Sequence, residues 1–246
     1  MKKLALIAVI VMLLAGSAMA EEKTLVFATD ATWPPMEFID ENKNITGYSV
    51  EYMTAAAEAA GFKAEFKAVA WDGIFAGLGA GKYDAICSSV SITEERMKAM
   101  DFSQPYYKVQ QAIIVRKDTD YKTLDDLKGK KVGSQISTTG TFAVEAAEGV
   151  ESKTYDEVGL AVEDLYNGRL EAVVCDDPVA ADYALNNPKY KKTLTISSVI
   201  EAGDVEYYGI AVKQGNKDVL YLINQGITAV KVKGIDKKLE KKWIGK

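Results

Sequence analysis

The sequence contains no histidine, only two cysteines and only three arginines among its 246 residues. Each shortage excludes something. Without histidine there is no imidazole base and no imidazole metal ligand, so a histidine triad or a typical catalytic zinc site is out of reach. Cys87 and Cys175 are too few for a disulfide scaffold. Each ends an apolar run, Ala85-Ile86-Cys87 and Val173-Val174-Cys175, where a small thiol packs as a hydrophobe. Two separate buried thiols are expected, with a bridge as the alternative in an oxidising compartment. The three arginines, Arg96, Arg116 and Arg169, stand beside 27 lysines. Candidates for a planar two-pronged grip on a carboxylate are therefore few.

Long apolar runs are also missing. The longest, residues 4–14, falls short of the roughly 20 residues that a membrane span requires. Lys2 and Lys3 precede it and Ala18-Met19-Ala20 follows, which reads as a secretory signal peptide over residues 1–20, cleaved after Ala20. Glu21 and Glu22 stand where a lipid anchor would need a cysteine, so a freely released periplasmic protein is expected. Cleavage leaves 28 basic against 35 acidic residues, a balance of minus seven, and no basic patch for nucleic acid is implied. About 226 residues exceed the usual size of one core, which suggests two lobes.

What remains is an alternation of short β-branched runs with amphipathic stretches, the signature of α/β architecture. Strands are predicted over 25–28, 64–69, 83–87, 111–115, 131–134, 172–175 and 208–212. Helices are predicted over 48–60, closed by Gly61, and over 74–78, from Thr93, and over 142–148, 158–166, 219–232 and 235–243. In open α/β sheets the ligand crevice lies at the carboxyl ends of strands. Three such ends carry unusual polar groups: Thr29-Asp30, Ser88-Ser89-Val90-Ser91 and Asp176-Asp177.

Arg96 falls in the first turn of a helix, where a cation opposes the dipole. It is either a solvated surface residue or a grip for an anion, with Ser89 and Ser91 as further donors. Asp176 caps an apolar strand and is costly to bury without a partner, which a ligand ammonium would supply. Asp177 suits the N-cap before Pro178, leaving Asp176 over. Trp33 and Trp71 lie in turns; they are core-edge aromatics or the faces of a sandwich around a cationic side chain, which Asp30 would pair. Thr138 and Thr139 open a helix, as caps or as donors across a cleft.

The stretch Tyr83-Asp84-Ala85-Ile86-Cys87-Ser88-Ser89-Val90-Ser91-Ile92-Thr93-Glu94-Glu95-Arg96, then Asp101-Phe102-Ser103 and Tyr106-Tyr107, closely resembles the polar amino-acid family of bacterial periplasmic solute-binding proteins, the receptors of ABC importers. Supporting matches are Asp30 with the Pro34-Pro35 pair, Thr138-Thr139, and residues 168–176. The resemblance implies an α/β, two-lobed Venus-flytrap fold (a type II periplasmic binding protein) with two hinge strands. The repeated strand-then-helix order places a second lobe over about 109–204, and the resemblance implies that the first, 21–108 plus 205–246, is discontinuous. By the same resemblance Arg96 binds the α-carboxylate of a free L-amino acid, with Ser91 and Thr139 as helpers. Asp176 binds the α-ammonium, and Asp30, Trp33, Trp71 and Ser89 shape the side-chain pocket. The implied partner is an ABC permease in the inner membrane; no cofactor, metal or catalytic residue is implied, and a monomer is expected. Cys175 and Gln135 replace the histidine and lysine of similar glutamine receptors, which counts against glutamine. Asp30 with Ser88-Ser89 looks more like the receptors for lysine, arginine or histidine, and two tryptophans suit a cation, so a basic amino acid is favoured over glutamine or another neutral polar one. An enzyme similar to cyclohexadienyl dehydratases is the rival class on the same scaffold.

Overall fold

The computed structural model describes residues 23–200 and 205–245. The signal segment and its cleavage point at Ala20 lie outside them, as does residue 204 at the expected end of the second lobe. The chain builds two five-stranded sheets. The first runs in the order Lys63–Ala68, Thr24–Thr29, Ala85–Ile86, Ala211–Lys213 and Met100–Phe102. Its first three strands are parallel and its last two join antiparallel. The second sheet runs Glu151–Tyr155, Lys131–Gln135, Ala172–Asp176, Gln111–Arg116 and Leu194–Val199. Between them the chain crosses once outward at Tyr107–Val109 and once back at Glu206–Tyr208, and these strands pair antiparallel as a two-stranded ribbon. These are the two hinge strands of the two-lobed fold.

Each sheet is buried on both faces, and the period-two alternation of strands decides which core each side chain joins. Along Thr24–Thr29, Leu25 and Phe27 pack against Met53, Ala56, Ile223 and Ile227, while Ala28 joins Ile74, Leu78 and Ile86 on the other side. In the second sheet Val173 and Cys175 face Val158, Val162 and Leu165, and Ala172 and Val174 face Val132 and Val144. Both cysteines are buried and unbridged.

The helix Tyr48–Ala60 ends where Gly61 turns left-handed at φ 76°, as its sequence predicts. Its start is fixed by Gly47, at φ 126°, where a Cβ would lie 2.3 Å from the Met36 carbonyl oxygen. Against it packs the long helix Lys217–Val232.

Several boundaries differ from expectation for physical reasons. The single strand expected over 208–212 is divided between the ribbon and the first sheet: Gly209 N–H donates to the Val90 carbonyl, a partner in neither strand. The helix expected from 142 starts at Thr139, because the Thr138 hydroxyl accepts from Thr141 N–H and caps it earlier. The strand expected over 83–87 shortens to Ala85–Ile86. Asp176, rather than Asp177, occupies the N-cap position of the helix Asp177–Ala181, although its side chain makes no capping bond. Trp33 lies in the short strand Thr32–Trp33 instead of a turn.

Candidate functional site

The carboxyl ends of both sheets face one another across a narrow cavity. Asp30, Trp33, Trp71, Ser89, Ser91, Arg96, Thr139 and Asp176, the eight residues singled out from the sequence, all line it. Glu37, Ser88, Gln135 and Thr138 complete the wall.

Asp30 leaves the end of Thr24–Thr29 and is nearly buried, 5 % exposed. Its N–H donates to Ser88 Oγ at 2.8 Å, and its carboxylate accepts from Thr32 Oγ1 at 2.9 Å. From the opposite sheet Gln135 Nε2 reaches Asp30 Oδ2 at 2.8 Å. The two halves are therefore in contact across the cleft. Burial raises the Asp30 carboxyl above its ordinary range, against the pull of these bonds. Ser89 takes a left-handed φ of 47°, uncommon for a residue with a side chain, and directs its hydroxyl to Glu37 Oε2 at 2.9 Å. Glu37 is fully buried, and desolvation pushes its carboxyl well above the usual range.

Arg96 sits in the short helix Glu94–Met97, capped by the Thr93 hydroxyl. That helix is only four residues long and Arg96 falls in its last turn, so the expected opposition to a dipole does not arise. The side chain is held where Nη1 donates to the Ser91 carbonyl at 2.9 Å and Nη2 crosses the cleft to the Ser137 carbonyl at 3.1 Å. The guanidinium lies over Phe75 and Trp71, 5.3 and 5.6 Å from their ring centres. None of the ion pairs among the described residues involves it. Desolvation lowers its pKa, while the charges of Asp176 and Glu206 act the other way. Trp71 thus supports the arginine, a role the sequence did not reveal.

Asp176 closes the central strand of the second sheet and is 5 % exposed. It accepts from Gln111 Nε2 at 2.6 Å and from the Tyr208 hydroxyl. Burial, then the nearby charge of Glu206, pushes its carboxyl up to about 7. Thr139 Oγ1 donates to Glu206 Oε1 at 2.6 Å. Four buried polar atoms at or beside the cavity lack a protein partner: Trp33 Nε1, Trp71 Nε1, Glu37 Oε1 and Gln111 Oε1. An unsatisfied buried group costs about 1–3 kcal/mol, which a polar partner at this cavity would offset.

Reasoning from sequence missed Glu37, Gln111 and Glu206. Gln111 had a readable signal, a polar residue opening an otherwise apolar strand. Glu37 and Glu206 had none, since neither sits at a predicted strand end.

Two α/β halves joined by a ribbon, with an acidic, arginine-bearing cleft between them, define a two-lobed binding protein for a small charged solute. The chain belongs to the bacterial extracellular solute-binding proteins, family 3, whose model matches residues 25–246. Such proteins bind small amino-acid ligands outside the cytoplasm and pass them to a membrane permease of an ABC importer. The chain is 35 % identical over 224 residues to a probable histidine-binding protein of Neisseria gonorrhoeae, covering 89 % of this chain and 82 % of that one. It is 34 % identical over 249 residues to ABC transporter arginine-binding protein 1 of Escherichia coli K12, covering 99 % of each. An ancestral arginine-binding protein solved with arginine superposes with a TM-score of 0.84 at 40 % identity, over 90 % of this chain and 98 % of that one.

Proposed function

We propose that this protein is a periplasmic receptor for a basic amino acid, which it delivers to its permease by closing two lobes around the ligand. The observation that carries the reading is the charge balance of the cleft. Asp30 and Asp176 line the cavity together with Arg96, and the charges of Asp176 and Glu206 act on its guanidinium. An α-carboxylate takes Arg96 and an α-ammonium takes Asp176. A neutral side chain then leaves Asp30 facing no cation, whereas a lysine, arginine or histidine side chain supplies one. Trp33 and Ser89 shape this end of the pocket. Two of the relatives, named for histidine and arginine, support the same class.

One contact favours a neutral guest such as glutamine: Gln135 already satisfies one oxygen of Asp30. A melting-shift screen over the twenty amino acids separates the two readings. At a hundred times its Kd a ligand adds about 2.7 kcal/mol, a rise of roughly 5–10 °C for a protein of this size. Basic amino acids are expected to give the largest rise; a maximal response to glutamine with none to arginine or lysine refutes the assignment.

The lobes are assigned to residues 21–108 plus 205–246 and to 109–204, a division supported by the membership of the two sheets. The mature chain starts at Glu21, is monomeric and is a receptor with no catalytic activity. Mass spectrometry of the secreted protein, sedimentation, and incubation with prephenate test these points in turn; phenylpyruvate formation would refute the last.

A further inference from the structure

The ribbon strand Glu206–Tyr208 brings to the cleft a carboxylate with no counterpart among the residues expected there. Glu206 Oε1 accepts from Thr139 Oγ1 at 2.6 Å and from the Ser91 hydroxyl. Its two oxygens lie 3.4 and 3.2 Å from Gln111 Nε2. The same amide nitrogen donates to Asp176 Oδ1 at 2.6 Å and to Thr139 Oγ1 at 3.0 Å. Two carboxylates from different elements therefore converge on one NH₂ group, whose two protons are shared among four acceptors. After desolvation, Glu206 is the largest influence keeping the Asp176 carboxyl above its ordinary range. Converging acids of this kind are costly without a paired cation, and Arg96, though both charges act on it, forms an ion pair with neither. A compact ammonium, with three donors, can serve both at once.

The hydroxyls sharpen the assignment. Ser91 and Thr139 each have one proton to donate, and both give it to Glu206. They cannot also donate to the ligand carboxylate, which is left to Arg96.

We propose that Glu206 is the second carboxylate of the ammonium subsite, gripping the α-ammonium together with Asp176, with Ser91 and Thr139 holding it in place and Gln111 spacing the two acids. The proposal rests on the reading of the cleft as an amino-acid site, but not on the side chain bound, because every amino acid carries the same ammonium.

The test is calorimetry on Glu206→Gln with two probes: the amino acid that gives the largest melting shift, and its analogue lacking only the α-amino group. Loss of a charge-assisted contact predicts roughly ten- to hundredfold weaker binding of the amino acid. The analogue should bind E206Q as it binds the parent protein. Equal weakening of both probes overturns the proposal and makes Glu206 a structural prop. Unchanged or tighter binding of the amino acid also overturns it, the latter because Glu206 is then a stand-in for the ligand carboxylate. If the parent protein binds no amino acid, the reading of the cleft falls and this proposal with it, a result distinct from the others. Should E206Q not fold, Thr139→Val, which removes one hydroxyl holding Glu206, carries the same comparison.

Discussion

At the scale of single residues, the cleft is an arrangement of charges that need a guest. Arg96 is held by two carbonyls, one from each half, and by two aromatic faces, so it is positioned before any anion arrives. Arg96→Ala removes the cation and leaves a desolvated ligand carboxylate unpaired. Calorimetry should show binding weakened by about 3–5 kcal/mol, and near-normal affinity would remove Arg96 from the site. Asp176 makes the affinity depend on pH. Its surroundings are acidic, Glu206 and Asp177, with Arg96 the facing cation and Tyr208 and Gln111 as donors. A ligand ammonium requires the ionised carboxylate, whereas the free protein takes up a proton as pH falls through about 7. Binding therefore releases a proton below that pH, and affinity should fall by up to about tenfold per pH unit. Asp176→Asn should bind weakly and lose that pH dependence; titrations at pH 8 and 5.5 check both. In the unliganded protein the sign is opposite. A carboxyl raised from 3.8 to about 7 in the folded state contributes stability at low pH, which is lost as pH rises through that window. The residues legible in the sequence were those whose polarity contradicts a local pattern: Asp30 and Asp176 at apolar strand ends, and Arg96 early in a predicted helix. Glu206 contradicts nothing nearby, because its place is set by a strand partner about a hundred positions earlier.

At the scale of elements, the regular pieces were legible where periodicity and punctuation agreed. The helix Tyr48–Ala60 has an apolar stripe and Gly61 to end it, and it forms over the predicted residues. The edge strands Glu151–Tyr155 and Leu194–Val199 escaped notice because they are partly exposed and carry polar residues, so no clean alternation marks them. The divided strand around Gly209 escaped for another reason: local pattern shows β character but not which sheet receives it. One packing contact is fixed tightly enough to test. Where the helices Tyr48–Ala60 and Lys217–Val232 meet, a Cβ on Gly226 would lie 2.2 Å from the Ala56 carbonyl oxygen. Backbone cannot yield there as a flexible side chain would. Gly226→Val should force the helices apart and cost about 1–3 kcal/mol or more, read as a lower melting temperature by circular dichroism. An unchanged melting temperature would show that the helices part freely.

At the scale of the molecule, closure is held by a small number of bonds across the cleft, above all Gln135 to Asp30 and Arg96 to the Ser137 carbonyl. A ligand favours the closed arrangement only through contacts that arrangement gains. Gln135→Ala removes the first of these bonds. Small-angle scattering should then give a larger radius for the unliganded variant than for the parent, with saturating ligand returning it to the closed value; identical radii without ligand would show that Gln135 does not bias the equilibrium. The two-lobed plan was legible from length and from the repeated strand-then-helix order. The strand character of the crossings was not, because the polar stretch around 101–108 hides two short strands.

Because Val109 and Glu206 are paired neighbours, the second sheet and its helices leave and rejoin the first half through a doorway one strand spacing wide, about 5 Å. The segment behaves topologically as a cassette whose two ends already meet. It could be cut out and closed with a short connector, or exchanged for the corresponding piece of a relative, without moving any strand of the sheet left behind. Gln135, Thr139 and Asp176 would travel with such an exchange, whereas Asp30, Trp33, Trp71 and Ser89 would stay behind.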